Sequence, residues 1–193
     1  MIMNNKINIY IGNGLFNESD LLFNEYLYKR IWLRIHELEL HHLKDCVEIY
    51  VPQFNQDIND KTKYADSKMI YDGDNERLDN TDILIAVIDG GDLGLGTEIG
   101  RFSLMCEKDP LKTILGLYSD TRQGNAIPEK INAINNEIGE NQFSYINLYT
   151  VGAIKSVGKL YNNSSDLIDG LIENMNKIYK DKIEFLNKGD QGL

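Results

Sequence analysis

The sequence predicts a doubly wound α/β fold: a five-stranded parallel sheet in the flavodoxin-like order 2-1-3-4-5, with helices on both faces. Short apolar, β-branched runs alternate with amphipathic stretches along the whole chain, which is the pattern of repeated strand-helix units. The run Ile83 to Ile88 (ILIAVI) has no polar break, as a central strand covered on both faces requires. Five such strands fit one sheet whose ligand crevice lies outside the strands' carboxyl ends.

Taken in order, Ile7 to Ile11 reads as the first strand, stopped by Gly12 and followed by the turn Gly12-Asn13-Gly14. A helix capped by Asn17 or Ser19 is expected to run to about His42, with Phe23, Leu27, Ile31, Ile35 and Leu38 as its inward stripe. Val47 to Val51 is the second strand, closed by Pro52, and Gln53 to Lys63 is a polar loop long enough to suggest function. A helix over about Ala65 to Asn80 leads to the central strand.

The glycine-dense stretch Gly90 to Gly96 reads as a loop, after which Thr97 to Cys106 resumes helical spacing with Ile99, Phe102, Met105 and Cys106 inward. Thr113 to Tyr118 is the fourth strand and Phe143 to Tyr149 the fifth. A last amphipathic helix starts near Ser164 or Ser165, with Ile168, Leu171, Ile172, Met175 and Ile178 on one face.

At 193 residues, 42% hydrophobic and 26% charged with 3 Pro, the chain fits one globular domain over residues 1–193. Its final helix, about 164–186, reads as an addition. A formal charge of -10 argues against a partner such as a nucleic-acid polymer, whose backbone calls for a basic stripe. Cys46 and Cys106 form no C-x-x-C pair, and His36, His41 and His42 have no acidic or cysteine partner at ligand spacing, so no metal is expected. Neither a signal peptide nor a membrane-length apolar run is visible, which makes cytoplasmic localisation the expectation.

The chemistry-bearing stretch follows the third strand: Asp89-Gly90-Gly91-Asp92-Leu93-Gly94-Leu95-Gly96-Thr97-Glu98-Ile99-Gly100. Glycines let a backbone approach a ligand, and a carboxylate on the first turn of a helix is favoured by the helix dipole. Glu98 is therefore a candidate nucleophile, with Asp92 facing the same ligand. The plainer reading is a helix-favouring Glu98 beside turn-forming Asp89 and Asp92.

The pattern Asp92-x-Gly94-x-Gly96-x-Glu98-x-Gly100 after an apolar strand resembles the signature of the nucleoside 2-deoxyribosyltransferases, whose glutamate in this place is the nucleophile. Ile9-Tyr10-Ile11-Gly12-Asn13-Gly14-Leu15-Phe16 is similar to the family's first-strand segment. That resemblance implies that Tyr10 hydrogen-bonds the nucleophile and that Gly12, Leu15 and Phe16 shape the base pocket, with Leu15 standing where many members carry Trp. A dinucleotide site is disfavoured because the third glycine is replaced by Asn17.

The stretch Tyr50 to Gln56 resembles the family loop whose glutamine, here Gln56, contacts the base. Asp74 to Asp82 resembles the stretch whose first Asp binds and protonates the base, which points to Asp74 with Asp72 as rival. Tyr145 to Leu148 resembles a segment whose asparagine, here Asn147, reaches the sugar in a neighbouring subunit.

The resemblance covers roughly residues 9 to 150. It implies transfer of 2-deoxyribose between nucleobases through a covalent Glu98 intermediate, in nucleoside salvage, without cofactor or metal. It also implies a homo-oligomer, dimer or hexamer. The substrate partners would be 2′-deoxynucleosides and free bases, held by Tyr10, Gly12, Leu15, Phe16, Gln56, Asp72, Asp74, Asp92, Gly94, Glu98 and Asn147. Two alternatives remain: an N-glycosidase on the same fold, and a non-catalytic nucleotide-binding module. Arg77 and Arg101, each three residues after a proposed catalytic acid, would hold a 5′-phosphate if either faced the pocket.

Overall fold

The computed structural model describes residues 6–60, 62–123, 127–134 and 145–184. Five parallel strands, β1 (Ile7–Gly12), β2 (Val47–Tyr50), β3 (Ile83–Val87), β4 (Thr113–Leu117) and β5 (Gly158–Tyr161), form one sheet in the order β2-β1-β3-β4-β5. The doubly wound α/β fold with order 2-1-3-4-5 is therefore the observed one.

Side-chain alternation sorts the core into two layers. Ile7, Ile9 and Ile11 of β1 and Ile83, Ile85 and Val87 of β3 face helices α1 (Glu18–Ile35) and α7 (Ser164–Ile178). Tyr10, Leu84, Ala86 and Ile114 face the other way, toward α3 (Ser67–Asp79), α4 (Leu93–Cys106) and α6 (Leu148–Val157). Two short helices complete the set, α2 (Gln56–Asn59) inside the loop after β2 and α5 (Ile127–Ile134).

Three expected boundaries are corrected. The first helix is capped by Asn17 but stops at Ile35 rather than near His42. A 3-10 turn over Leu38–Leu40 follows, and hydrogen bonds between residues three apart bring Leu40 and Leu43 together into the core. A continued α-helix would carry the chain away from the start of β2.

The glycine-dense stretch is not a loop up to Thr97. Gly91 takes the left-handed turn conformation at φ 63 and Asp92 caps a helix that already begins at Leu93. Glu98 consequently sits on the second turn, not the first.

The fifth strand is Gly158–Tyr161, not Phe143 to Tyr149. Leu148–Val157 is helical, capped by Asn147, whose side chain accepts hydrogen bonds from the amides of Tyr149 and Thr150. Phe143 and Ser144 lie outside the described residues, as do the last positions of the expected C-terminal helix at 185–186. Gly158 runs so close to the Ile114 carbonyl that a Cβ would collide with backbone, which lets this short strand pair with β4.

Helix α7 belongs to the core. Leu167, Leu171, Met175 and Ile178 are buried against the sheet. The chain then continues as a π-helical turn, Tyr179–Glu184, whose Lys182 reaches the back of the sheet. There Asp82, immediately before β3, accepts from the Asn8 amide at 2.8 Å and from Lys182 Nζ at 2.9 and 3.1 Å. No helix among the described residues is long and apolar enough to cross a membrane.

Removing the Asp82 carboxylate takes the acceptor from a strand amide and the counter-charge from a largely buried ammonium, which keeps its bond to the Lys6 carbonyl. Asp82→Ala is expected to cost about 3 kcal/mol, read as a lower urea midpoint with unchanged slope. A midpoint within 0.1 M of the parent, a shift of only about 0.2 kcal/mol at ordinary slopes, would mean that this pin carries no load.

Candidate active site

Strand parity and helix phase decide which side chains meet. Tyr10 belongs to the even row of β1, so it points beneath α4, and its hydroxyl donates to Glu98 Oε1 at 2.8 Å. Gly12, two residues on, lies in the same row. A Cβ there would stand 2.6 Å from Leu95 Cδ1 and 3.5 Å from Glu98 Oε2, so glycine makes the room in which the carboxylate sits. On α4 the buried stripe is Leu95, Ile99, Phe102 and Cys106, and Glu98 flanks it on the side toward α3.

Between α3 and the first half of α4 lies a cleft of about 350 Å³. Ile70, Tyr71 and Asp74 form its α3 wall, and Gly94, Thr97, Glu98 and Arg101 its α4 wall. Two carboxylates thus face one open cleft with the Tyr71 side chain beside them. Its volume falls in the range of small-ligand sites.

Burial is the largest influence on Glu98 and raises its pKa to about 7; the negative charges of Asp74 and Asp92 push the same way, and the Tyr10 hydrogen bond opposes them. Tyr10 itself is held far above the ordinary phenol range, first by burial and then by the Glu98 and Asp74 charges. It remains a neutral donor throughout the working range.

The structure separates the two rival acids on α3. Asp74 lines the cleft, whereas Asp72 lies on the exposed side of the helix and pairs with Lys68 at 2.5 Å. A spacing of two on a helix turns side chains about 200° apart, which is why the cleft takes Asp74 and not Asp72 into its lining.

Asp92 sits at the start of α4 and not in the wall of the Glu98 cleft. Its Oδ1 accepts from the Leu95 amide at 2.7 Å as the cap of α4, and the side chain lines a second cavity of about 590 Å³ on the far side of that helix end. Asn147 lines this second cavity too, not the Glu98 cleft of its own chain.

Leu15 is half-buried, Phe16 is 80% exposed and Gln56 is exposed at the start of α2; none of the three lines the Glu98 cleft. Arg101 does line it, and also pairs with Asp79 at 2.5 Å. Arg77 lies instead over the Tyr50 ring, 5.2 Å from its centroid.

Two contributors escaped the sequence reading. Tyr50 is the register partner of Tyr10, and their rings are 5.1 Å apart, so Tyr50 buttresses the donor to Glu98. Asn24, fully buried on α1, bonds the turn after β1 and Gln53 after β2. The only sequence signal for it is a polar residue beside the stripe position Phe23. His36 and His42 bond the Trp32 carbonyl and the Asn176 side chain, and among the described residues no group of His, Cys, Asp or Glu is arranged to hold a metal ion.

A model of the nucleoside 2-deoxyribosyltransferase family matches residues 9–147. The chain belongs to that family. The match ends at the cap of α6, so the fifth strand and α7, which complete this family member's sheet and one core layer, lie beyond it. A solved structure from Enterococcus faecalis V583, described only as a conserved protein, is 38% identical with a TM-score of 0.71. It covers 87% of this chain and is itself covered over 98% of its length. No curated relative matches the chain.

The raised Glu98 pKa has a defined sign in stability. The folded protein holds that proton more tightly than the unfolded chain does, so ionising Glu98 removes stability as pH climbs from the ordinary carboxylate range through about 7, and the cost is complete above it. Glu98→Gln should therefore be more stable than the parent at pH 8.5 by roughly 2 to 3 kcal/mol and little different near pH 4, measured by urea unfolding at each pH. Tyr10→Phe, which deletes the one contact favouring the ionised form, should move the break in the parent's curve above pH 7. An unmoved break would mean that Tyr10 does not set the Glu98 titration.

Proposed function

We propose that the protein transfers a 2-deoxyribosyl group from one nucleobase to another by double displacement on Glu98. The observation that carries this reading is the Tyr10-held Glu98 carboxylate facing Asp74 across one cleft. Breaking an N-glycosidic bond through an oxocarbenium-like transition state calls for one carboxylate at the anomeric carbon and one acid at the leaving group.

In the first half-reaction Glu98 Oε2 attacks C1′ from the face opposite the base, while Tyr10 holds Oε1. The C1′–N bond breaks, its electron pair goes to the base, and Asp74 supplies the proton to a base nitrogen. A second base then attacks C1′ from the vacated face, the ester bond to Glu98 breaks, and Asp74 takes up the proton. Two inversions retain the β configuration. A 2′-hydroxyl would withdraw electrons from the developing cation at C1′, so 2′-deoxy donors are favoured.

A 5′-phosphorylated donor is the second reading, favoured by the position of Arg101 in the cleft wall. Among the chain's expected partners is a second copy of itself. Asn147 opens on a cavity other than its own Glu98 cleft, which supports its service to a neighbouring subunit in a homo-oligomer.

With 2′-deoxyinosine as donor and millimolar adenine or cytosine as acceptor, the new 2′-deoxynucleoside should form faster than free 2-deoxyribose, and inosine should react far more slowly. Chromatographic separation decides: dominance of free sugar makes the enzyme a hydrolase, and reaction of 5′-phosphorylated donors alone assigns Arg101 to phosphate. Glu98→Ala should fold yet lose more than about a thousandfold in rate, and near-normal turnover would sink the nucleophile assignment. Mixing Glu98→Ala with Asn147→Ala under subunit exchange should restore part of the activity. Proven exchange without recovery removes the contribution in trans.

A further inference from the structure

We propose that Asn24 is a positioning residue of the base site, tying the turn beneath Glu98 to the loop after β2. The inference rests on the transferase reading above. Asn24 lies on α1, on the opposite side of the sheet from α4, and is fully buried. Its Oδ1 accepts from Asn13 Nδ2 at 2.9 Å, and its Nδ2 donates to the Gly14 carbonyl at 3.2 Å and to Gln53 Oε1 at 2.9 Å. Gln53 Nε2 in turn donates to the Leu21 carbonyl of α1 at 3.3 Å.

One buried amide therefore holds two loops that the sheet alone leaves separate. The first starts at Gly12, which lies beside the Glu98 carboxylate, and leads through Asn13 and Gly14 into Leu15 and Phe16. The second begins with the 3-10 turn Pro52–Phe54 that contains Gln53 and runs into Gln56. A helix position in line with Leu27 and Ile31 would accept an apolar side chain without desolvating an amide. The amide instead makes three hydrogen bonds to half-buried partners on two loops.

The role differs from a merely structural one in what it controls. Glu98 is oriented by Tyr10 and α4, neither of which Asn24 touches, so losing Asn24 should spare the attack on C1′. Its loss should loosen two loops that border the Tyr10–Glu98 pair, the first through Gly12 and the second through Asn55, which donates to the Tyr50 hydroxyl beside Tyr10, and that on the transferase reading lie next to the base. An acceptor base held loosely is replaced at the deoxyribosyl-Glu98 ester by water.

The test compares parent, Asn24→Leu and Gln53→Ala, using 2′-deoxyinosine with adenine as acceptor. Asn24→Leu should raise KM for adenine and lower the ratio of transfer to hydrolysis, each by about tenfold, while the single-turnover rate of hypoxanthine release at saturating donor changes less than about threefold. Simple destabilisation would lower all rates with the active fraction and leave KM and the ratio where they were.

Gln53→Ala removes one tie from a half-buried loop residue and should shift the same two quantities less, with the double variant no worse than Asn24→Leu alone. This keeps the question open to test should Asn24→Leu fail to fold. Unchanged KM and product ratio in Asn24→Leu, or in Gln53→Ala where the first is unfolded, overturn the role of Asn24 and leave the transferase reading standing. A parent enzyme that yields no new nucleoside overturns the transferase reading, and this inference falls with it.

Discussion

The hydrogen bond from the Tyr10 hydroxyl to Glu98 links the fold of this protein to its candidate active site. It crosses from the sheet to the helix above it, and it is the contact that keeps a half-buried carboxylate from being pushed still higher in pKa by burial and by Asp74 and Asp92. The arrangement works because β1 places Tyr10 and Gly12 in one row, one supplying the donor and the other the space. A pKa near 7 follows from the balance of these effects, and it leaves a carboxylate that ionises near neutral pH and is poorly solvated when it does.

Around that contact the polar residues divide into those that face the cleft and those that hold helix ends. Asn17, Asp92 and Asn147 each accept from backbone amides at the start of α1, α4 and α6, and these three helices begin at the same end of the sheet. Amides at a helix start have no partner within the helix, and a short acceptor side chain is the usual remedy. Capping fixes where α4 begins, and therefore which turn carries Glu98. Asp92 thus acts on Glu98 through its charge and through the helix it starts.

The opposite end of the sheet is organised by charge. Asp82 joins the amide of Asn8 to Lys182 of the turn Tyr179–Glu184, pinning the central strands at the end remote from the cleft. Together with the buried face of α7, this makes the segment after the family match an integral part of the core, not an appendage. The cleft is built on strands whose other ends are held by Lys182, a hundred positions from Asp82 in the sequence.

Much of this was legible in the residues themselves, because period-two and period-3.6 patterns state which faces are buried before any tertiary contact exists. The alternation of elements, the buried run of β3, the stripe of α1 and the face of α7 all emerge that way, and the family motifs marked Tyr10, Gly12 and Glu98 as neighbours. What the local pattern could not decide was any choice between similar segments. Residues 143–149 and 158–161 are both short and partly apolar, and pairing beside β4 goes to the one whose glycine tolerates the Ile114 carbonyl. Asp72 and Asp74 are equal as carboxylates, and only the phase of α3 against α4 brings Asp74 to Glu98. Asn24 reads as an ordinary helix residue until the loops after β1 and β2 close over it. Local sequence determined the faces of this protein's elements, and the tertiary structure decided which polar groups those faces enclose, because burial and hydrogen-bond partners exist only once distant segments are packed together.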